Sequence, residues 1–313
     1  MGRVANSTLT RPIALPSWFH PAHLAGLALA FSVSLSFESQ RVCALLAIIV
    51  LGVPHGALDG EIARSLLQSR FGRAWFPVFS LPYLSLFALV LLAWHFAPMP
   101  TLAAFLGASA WHFGSEDAPG TRLAAIIRGG LPIAVPLLAH LSATWAVFAT
   151  VSGVSRSQPP DWLWAAGLIW LALGMAWAGS AVMRGQGYLL MTPALLSGVF
   201  VMLPPLTAFA IYFVCVHAPA HTAALIQDPQ RALRVRDNRS AVVLALPITI
   251  LTLLIGAALW PFYTGILPDR LLALTLQGLA ALTLPHMLLD AWMTTHLTPR
   301  PCSSARGRKG ATL

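Results

Sequence analysis

Apolar runs of roughly bilayer length recur along this chain, separated by short clusters of proline, glycine or charge. They cover residues 21–37, 42–59, 76–97, 100–115, 123–149, 161–183, 188–203, 206–226, 241–262 and 270–292. A hydrocarbon core asks for about 20 such residues per crossing helix. Short segments of alternating polarity, the mark of a membrane barrel, are missing. The pattern predicts an all-α, polytopic membrane protein of about ten transmembrane helices. Run 100–115 is short for a full crossing. Run 123–149 is long and carries Gly129, Gly130, Pro132 and Pro136, which allow a kink. Residues 188–226 read either as one helix or as two joined at Leu203-Pro204-Pro205-Leu206.

Charge separates those two readings. With ten helices and a cytoplasmic N-terminus, 16 of the 19 Lys and Arg residues lie on the cytoplasmic side, leaving Arg41, Arg156 and Arg270 outside. With nine helices everything after residue 226 changes sides, and the split becomes 9 inside against 10 outside. The positive-inside bias favours ten. A chain that is 57% hydrophobic and 9% charged cannot cover its apolar surface as a soluble globule. The net charge of +9 would suit nucleic acid, but the basic residues sit in short loops, where they orient the chain in a lipid bilayer. No nucleic-acid partner is expected. The reading divides the chain into a cytoplasmic segment 1–20, a transmembrane catalytic domain 21–292 and a basic, disordered tail 293–313. Both termini are then cytoplasmic, and the first apolar run is an uncleaved helix rather than a signal peptide. Cys43, Cys215 and Cys302 show no metal-type spacing.

The chemistry lies with histidine. Of the 10 histidines, His55, His112, His217, His221 and His286 fall toward the cytoplasmic ends of four helices that run outside to inside. His95 and His140 belong to the outer half, and His20, His23 and His296 to the flanks. A polar ring in hydrocarbon needs a partner. Five at one depth suit a metal, since neutral imidazole binds iron, copper, zinc or nickel. His217 and His221, four apart, offer two ligands from one helix face. An acid follows three of the five at i+4: Asp59 after His55, Glu116 after His112 and Asp290 after His286. At that spacing a carboxylate can accept a ring N–H and fix its tautomer, or can itself be a ligand. Asp117 and Glu61 read more simply as solvated. Pro54 before His55, Gly114 after His112 and Pro285 before His286 point to distorted helices around the site.

Together these motifs resemble the bacterial and archaeal membrane β-carotene 15,15'-dioxygenases, the Brp/Blh family. The likeness rests on Pro54-His55-Gly56 with Asp59, Trp111-His112-Phe113-Gly114 with Asp117, Cys215 with His217 and His221, and Pro285-His286 with Asp290. It spans roughly residues 50 to 292. The resemblance implies a non-haem Fe(2+) enzyme of the bacterial inner membrane. It implies cleavage of the central double bond of β-carotene by O₂ into two molecules of retinal, for which a rhodopsin is a conceivable acceptor. It places the iron on His55, His112, His217 and His221. His286, Asp59, Glu116, Asp117 and Asp290 are left as further ligands or as groups behind the ligands. The chain departs from the family pattern at Ala218-Pro219-Ala220, apolar where polar or basic residues are expected. Trp111, Phe113 and Phe213 could line a carotene tunnel. The competing readings are a metal- or haem-binding membrane protein and a carotenoid-binding partner without cleavage activity. Five rings at one depth exceed the two axial ligands of a haem, and no His-His pair of the di-iron desaturase type occurs.

Overall fold

The computed structural model describes residues 35–117, 121–155 and 158–297. Segment 1–20, most of the predicted span 21–37 and the tail beyond Leu297 lie outside them, as do His20 and His23. The described residues are helical, with no strand among them. Helix α1 (Phe37–Ala47) starts where the Ser36 hydroxyl accepts the Ser39 N–H, and it passes through a π turn, Ile48–Gly52, into the short α2 (Val53–Gly56). There follow α3 (Asp59–Phe71), α4 (Trp75–Phe96), α5 (Pro98–Asp117), α6 (Arg122–Ala139), α7 (Leu141–Ser152), α8 (Asp161–Met183) and α9 (Met191–Met202). Helix α10 (Pro205–Tyr212) continues through a second π turn, Phe213–His217, into α11 (Ala218–Gln227). Helices α12 (Asn238–Leu259) and α13 (Leu267–Leu297) complete the bundle.

Six helical stretches are long and apolar enough to cross a bilayer: Phe37–Phe96, Arg122–Ala139, Asp161–Met183, Pro205–Gln227, Asn238–Phe262 and Leu267–Thr294. This is a helical membrane protein, and length and apolarity among the described residues support six crossings where the sequence pattern suggests about ten. The reasons are local. The stretch Phe37–Phe96 holds two of the expected spans. The expected long helix 123–149 is broken rather than kinked: α6 ends at Ala139, His140 takes φ −139° and ψ 48°, and α7 restarts as a short helix. The Pro136 carbonyl serves the break by accepting the His140 N–H at 2.8 Å and the Thr144 hydroxyl at 2.9 Å. Residues 188–226 do divide at Leu203, as the two-helix reading has it, where an extended ψ of 154° ends α9 before Pro205 opens α10; the stretch Gly187–Met202 is simply short.

Two glycines set the distance between α5 and α6. A Cβ on Gly129 would stand 1.9 Å from the Ala110 carbonyl oxygen, and one on Gly114 would stand 1.9 Å from that of Ala125. Backbone therefore meets backbone there, the close approach that small residues permit in membrane helices. Both sites are fixed by main chain, so no neighbouring rotamer could make room for a side chain. This crossing holds His112 and Glu116, one turn apart on α5, against the rest of the bundle. The main apolar core joins α1, α5, α9, α10 and α13 through Leu45, Leu102, Phe200, Leu206 and Leu272, all buried. A second cluster of Leu58, Ile62, Leu225, Val235 and Met293 closes the bundle beyond the histidines. Arg231 pairs there with Asp290, and the Arg234 guanidinium reaches Glu61 Oε1 at 3.1 Å. Arg41 meets Asp269 at 2.8 Å near the other end of α13. The Asp237 carboxylate caps α12 by accepting the Ser240 N–H at 2.7 Å, which holds that carboxyl below its ordinary value.

Candidate metal centre

Each π turn ends two residues before a proline, Pro54 or Pro219, and each proline has a site histidine within two residues. Proline donates no N–H and crowds the carbonyl four residues back, so the helix widens upstream of it. Before Pro54 the Val53 N–H reaches back to Ile48, and before Pro219 the Ala218 N–H reaches back to Phe213, each a five-residue step. The widened turns carry His55 and His217 inward. Gly52 sits against the Phe213 ring so closely that a Cβ would come within 2.4 Å of it. Phe213 in turn stacks on Phe209 and on His217, with centroids 5.5 and 5.6 Å apart. π turns of this kind are common at functional sites.

The five histidines meet. His217 is fully buried, and His55, His112, His221 and His286 are nearly so. Ring centroids are 5.3 Å apart for His55–His217, 5.1 Å for His112–His217, 5.0 Å for His112–His286 and 5.2 Å for His221–His286. Glu116 reaches into this group. Its oxygens lie 3.2 Å from His221 Nδ1, 3.6 Å from His112 Nδ1, 3.6 Å from His286 Nε2 and 3.9 Å from His217 Nε2.

Hydrogen bonds orient three of the rings alike. His55 Nδ1–H donates to the Gly52 carbonyl, His221 Nδ1–H to Glu116 at 3.2 Å and His286 Nδ1–H to Asp59 Oδ1 at 2.7 Å. In a neutral ring that leaves Nε2 as the bare nitrogen. The Nε2 atoms of His221 and His286 are buried without a hydrogen-bond partner. Several imidazolium charges at these separations would repel one another strongly in so dry a place. Neutral nitrogens gathered about the Glu116 carboxylate form a donor set that a divalent transition metal fits. Two groups have ligand atoms mutually within 4.8 Å: His112, Glu116 and His217, and Glu116, His221 and His286. These residues could hold a metal ion.

The acids take other places than their spacing suggests. Glu116 does approach His112, its i+4 partner, but it faces three more histidines as well. Asp59 turns from His55 to His286, across from α3 to α13, and is itself held by the Tyr83 hydroxyl, which donates to Oδ2 at 2.9 Å. Asp290 turns from His286 to Arg231. An ionised acid at the middle of a bilayer costs about 2.5–3.5 kcal/mol on insertion scales, and each of these carboxylates has found a partner. The Asp117 and His296 side chains lie outside the described residues. His140 Nε2 donates to the Val201 carbonyl at 2.9 Å, and His95 is exposed with its ring against Phe96, so both stand apart from the cluster. Tyr83 escapes a sequence reading because a tyrosine in an apolar helix is ordinary; its one signal is the position beside Pro82, inside a long span.

An apolar cavity of about 200 Å³ adjoins the cluster. His55, His112, His286 and Asp59 form its polar wall. Phe113 and Phe213 line it as expected, whereas Trp111 is exposed on the outer face of α5 and does not.

A helical membrane bundle with buried histidines and carboxylates grouped beside an apolar chamber defines a class of lipid-facing, metal-type centres. The comparisons narrow it. The sequence profile of the family described as Beta-carotene 15,15'-dioxygenase matches residues 46–294, and the chain belongs to that family. It is 29% identical to the probable beta-carotene 15,15'-dioxygenase Blh of Halobacterium salinarum, over 92% of this chain and 94% of the relative. It is also 29% identical to a beta-carotene 15,15'-dioxygenase of uncultured marine bacterium 66A03, over 79% of this chain and 91% of that one. No solved structure matches the chain. The family is one of enzymes, in accord with the Brp/Blh likeness drawn from the histidine motifs.

Proposed function

We propose that this protein is a non-haem iron dioxygenase that splits the central double bond of β-carotene with O₂, giving two molecules of all-trans-retinal. The observation that carries the reading is the meeting of five buried histidines and Glu116 at the wall of an apolar chamber. Family membership points the same way. His55, His112, His217 and His221 hold Fe(2+), with His286 and Glu116 near enough to complete the donor set. When bound, the iron supplies the O₂ activation and redox chemistry that no side chain provides.

The chain's own part is positional. Gly52, Glu116 and Asp59 fix the tautomers of His55, His221 and His286, so that their Nε2 atoms stay bare. Phe113 and Phe213 give a hydrocarbon substrate a surface to lie on beside the histidines. The second apolar cluster, with the Arg231–Asp290 and Arg234–Glu61 pairs, closes the far side of the site against water. Addition of both O₂ atoms across one C=C yields two aldehydes, which balances without another reductant.

Cells that accumulate β-carotene and express this protein are expected to lose their orange colour and form retinal, measured by chromatography of lipid extracts. Retained carotene without retinal, from well-expressed and iron-loaded protein, overturns the reading. The proposal includes a bacterial inner-membrane location, ten crossings and both termini in the cytoplasm. A reporter fused after Gln227 is expected to report cytoplasm, and a periplasmic signal there removes the ten-helix arrangement. A retinal-accepting rhodopsin is the fitting consumer of the product.

A further inference from the structure

The cavity has a side door. Helix α4 turns Phe76, Phe79, Ser80, Tyr83, Leu84 and Phe87 toward it, a stripe at helical spacing along one face. Helix α12 does the same with Ile248, Leu251, Thr252 and Ile255. Such stripes ordinarily pack into a neighbouring helix; here, among the described residues, they border open space. Of the large apolar residues that line the cavity, Phe76, Leu84 and Leu251 are exposed, at 43%, 43% and 45%, and all three belong to these two helices. The outer faces of the same helices present Leu81, Leu89, Leu246 and Leu254 to the surroundings, so the mouth opens on hydrocarbon rather than on water. Leu251 lies in the middle of α12, near mid-depth of the bilayer. Just inside the rim, Tyr83 contacts Asp59, and Asp59 contacts His286.

We infer that the gap between α4 and α12, rimmed by Phe76, Leu84 and Leu251, is a lateral portal through which an apolar polyene passes from the bilayer core to the histidine site. This rests on the carotene reading above and names the route it requires. A hydrocarbon loses nothing by moving from lipid into an apolar channel, whereas a path through the polar end of the bundle would expose it to water. The Ser80 and Thr252 hydroxyls are the only polar side chains on the two stripes besides Tyr83, and none of the three carries a charge.

The test uses full-length protein in vesicles that contain β-carotene. Leu84→Trp with Leu251→Trp narrows the rim; Leu89→Trp with Leu254→Trp places the same bulk on lipid-facing positions away from it. Two quantities are read: carotene uptake by metal-free protein, from the shift of the polyene absorption, and cleavage by iron-loaded protein. The narrowed protein is expected to lose at least about tenfold in uptake rate and in kcat/KM, a barrier change of roughly 1.4 kcal/mol, while the control pair stays at the wild-type rate. Phe76→Ala with Leu84→Ala widens the rim and is expected to speed uptake about twofold or more, a gain that misfolding cannot produce. Equal uptake in narrowed, control and widened proteins overturns the portal, and marks the gap as a seat for lipid chains. Rim-dependent uptake without any retinal from wild-type protein leaves the portal standing and removes the dioxygenase reading instead.

Discussion

Replacing His217 by alanine is expected to abolish metal retention and carotene cleavage together. His217 has no exposed surface, lies edge-on to His55 and His112, and stacks on Phe213. It stands where the second π turn meets α11. Loss of a partner behind a ligand already costs 10–100-fold in affinity or activity, so loss of a ligand is expected to cost more than about 100-fold. Iron per polypeptide, measured after purification under anaerobic reducing conditions, should fall with activity. The substitution also empties space in a packed interior, at a cost of about 2–5 kcal/mol for comparable large-to-small changes. His217→Gln refills most of that space, so a protein that is folded, with normal thermal unfolding, but free of iron separates ligation from packing. Wild-type iron content in both variants dismisses His217 as a ligand.

How far the residues announce this arrangement differs from level to level. The apolar runs give the helical membrane class directly, since bilayer thickness acts on every stretch of about 20 residues alike. They also give the division at Leu203, where prolines follow, but not the break at His140, which ends α6 through a backbone conformation that hydropathy does not register. The histidine layer is legible for a related reason: depth follows from position along a helix once direction is known. Its members do come together. The partners of those histidines are not legible by the same means. Spacing of i+4 reports neighbours on one helix, yet Asp59 and His286 belong to helices more than 200 residues apart in the chain. They meet only through the packing of α3 and α13, on the side of α3 that carries Asp59. Glu116 reaches four rings, three of them on other elements, His217 and His221 near α11 and His286 on α13. Neither effect is visible in a helical wheel.

The same contrast supplies a discriminating experiment. Asp59→Asn is expected to lower metal affinity about 10–100-fold, whereas Asp290→Asn is expected to leave it within about twofold. By sequence spacing the two acids are equivalent, each four residues after a site histidine. In the structure they are opposites. Asp59 is nearly inaccessible and accepts from both His286 and Tyr83, so it fixes the His286 tautomer and adds negative charge behind the ring. Asp290 pairs with Arg231 in a partly exposed position, and such pairs contribute about 0–1 kcal/mol. Asparagine at position 59 keeps the shape and removes the charge, and its amide must either present oxygen to His286 and nitrogen to Tyr83 or the reverse. Tyr83→Phe leaves the charge in place and removes one donor to it, so its loss should be smaller than that of Asp59→Asn. Competition with a chromophoric chelator measures all three affinities without relying on turnover. Cobalt(II)-loaded protein gives a second reading, since its visible spectrum responds to ligand orientation but not to a general loss of stability. Equal losses at Asp59 and Asp290 would mean that each acid serves its own i+4 histidine when metal is bound, and the cross-helix link through His286 would then have no part in holding it.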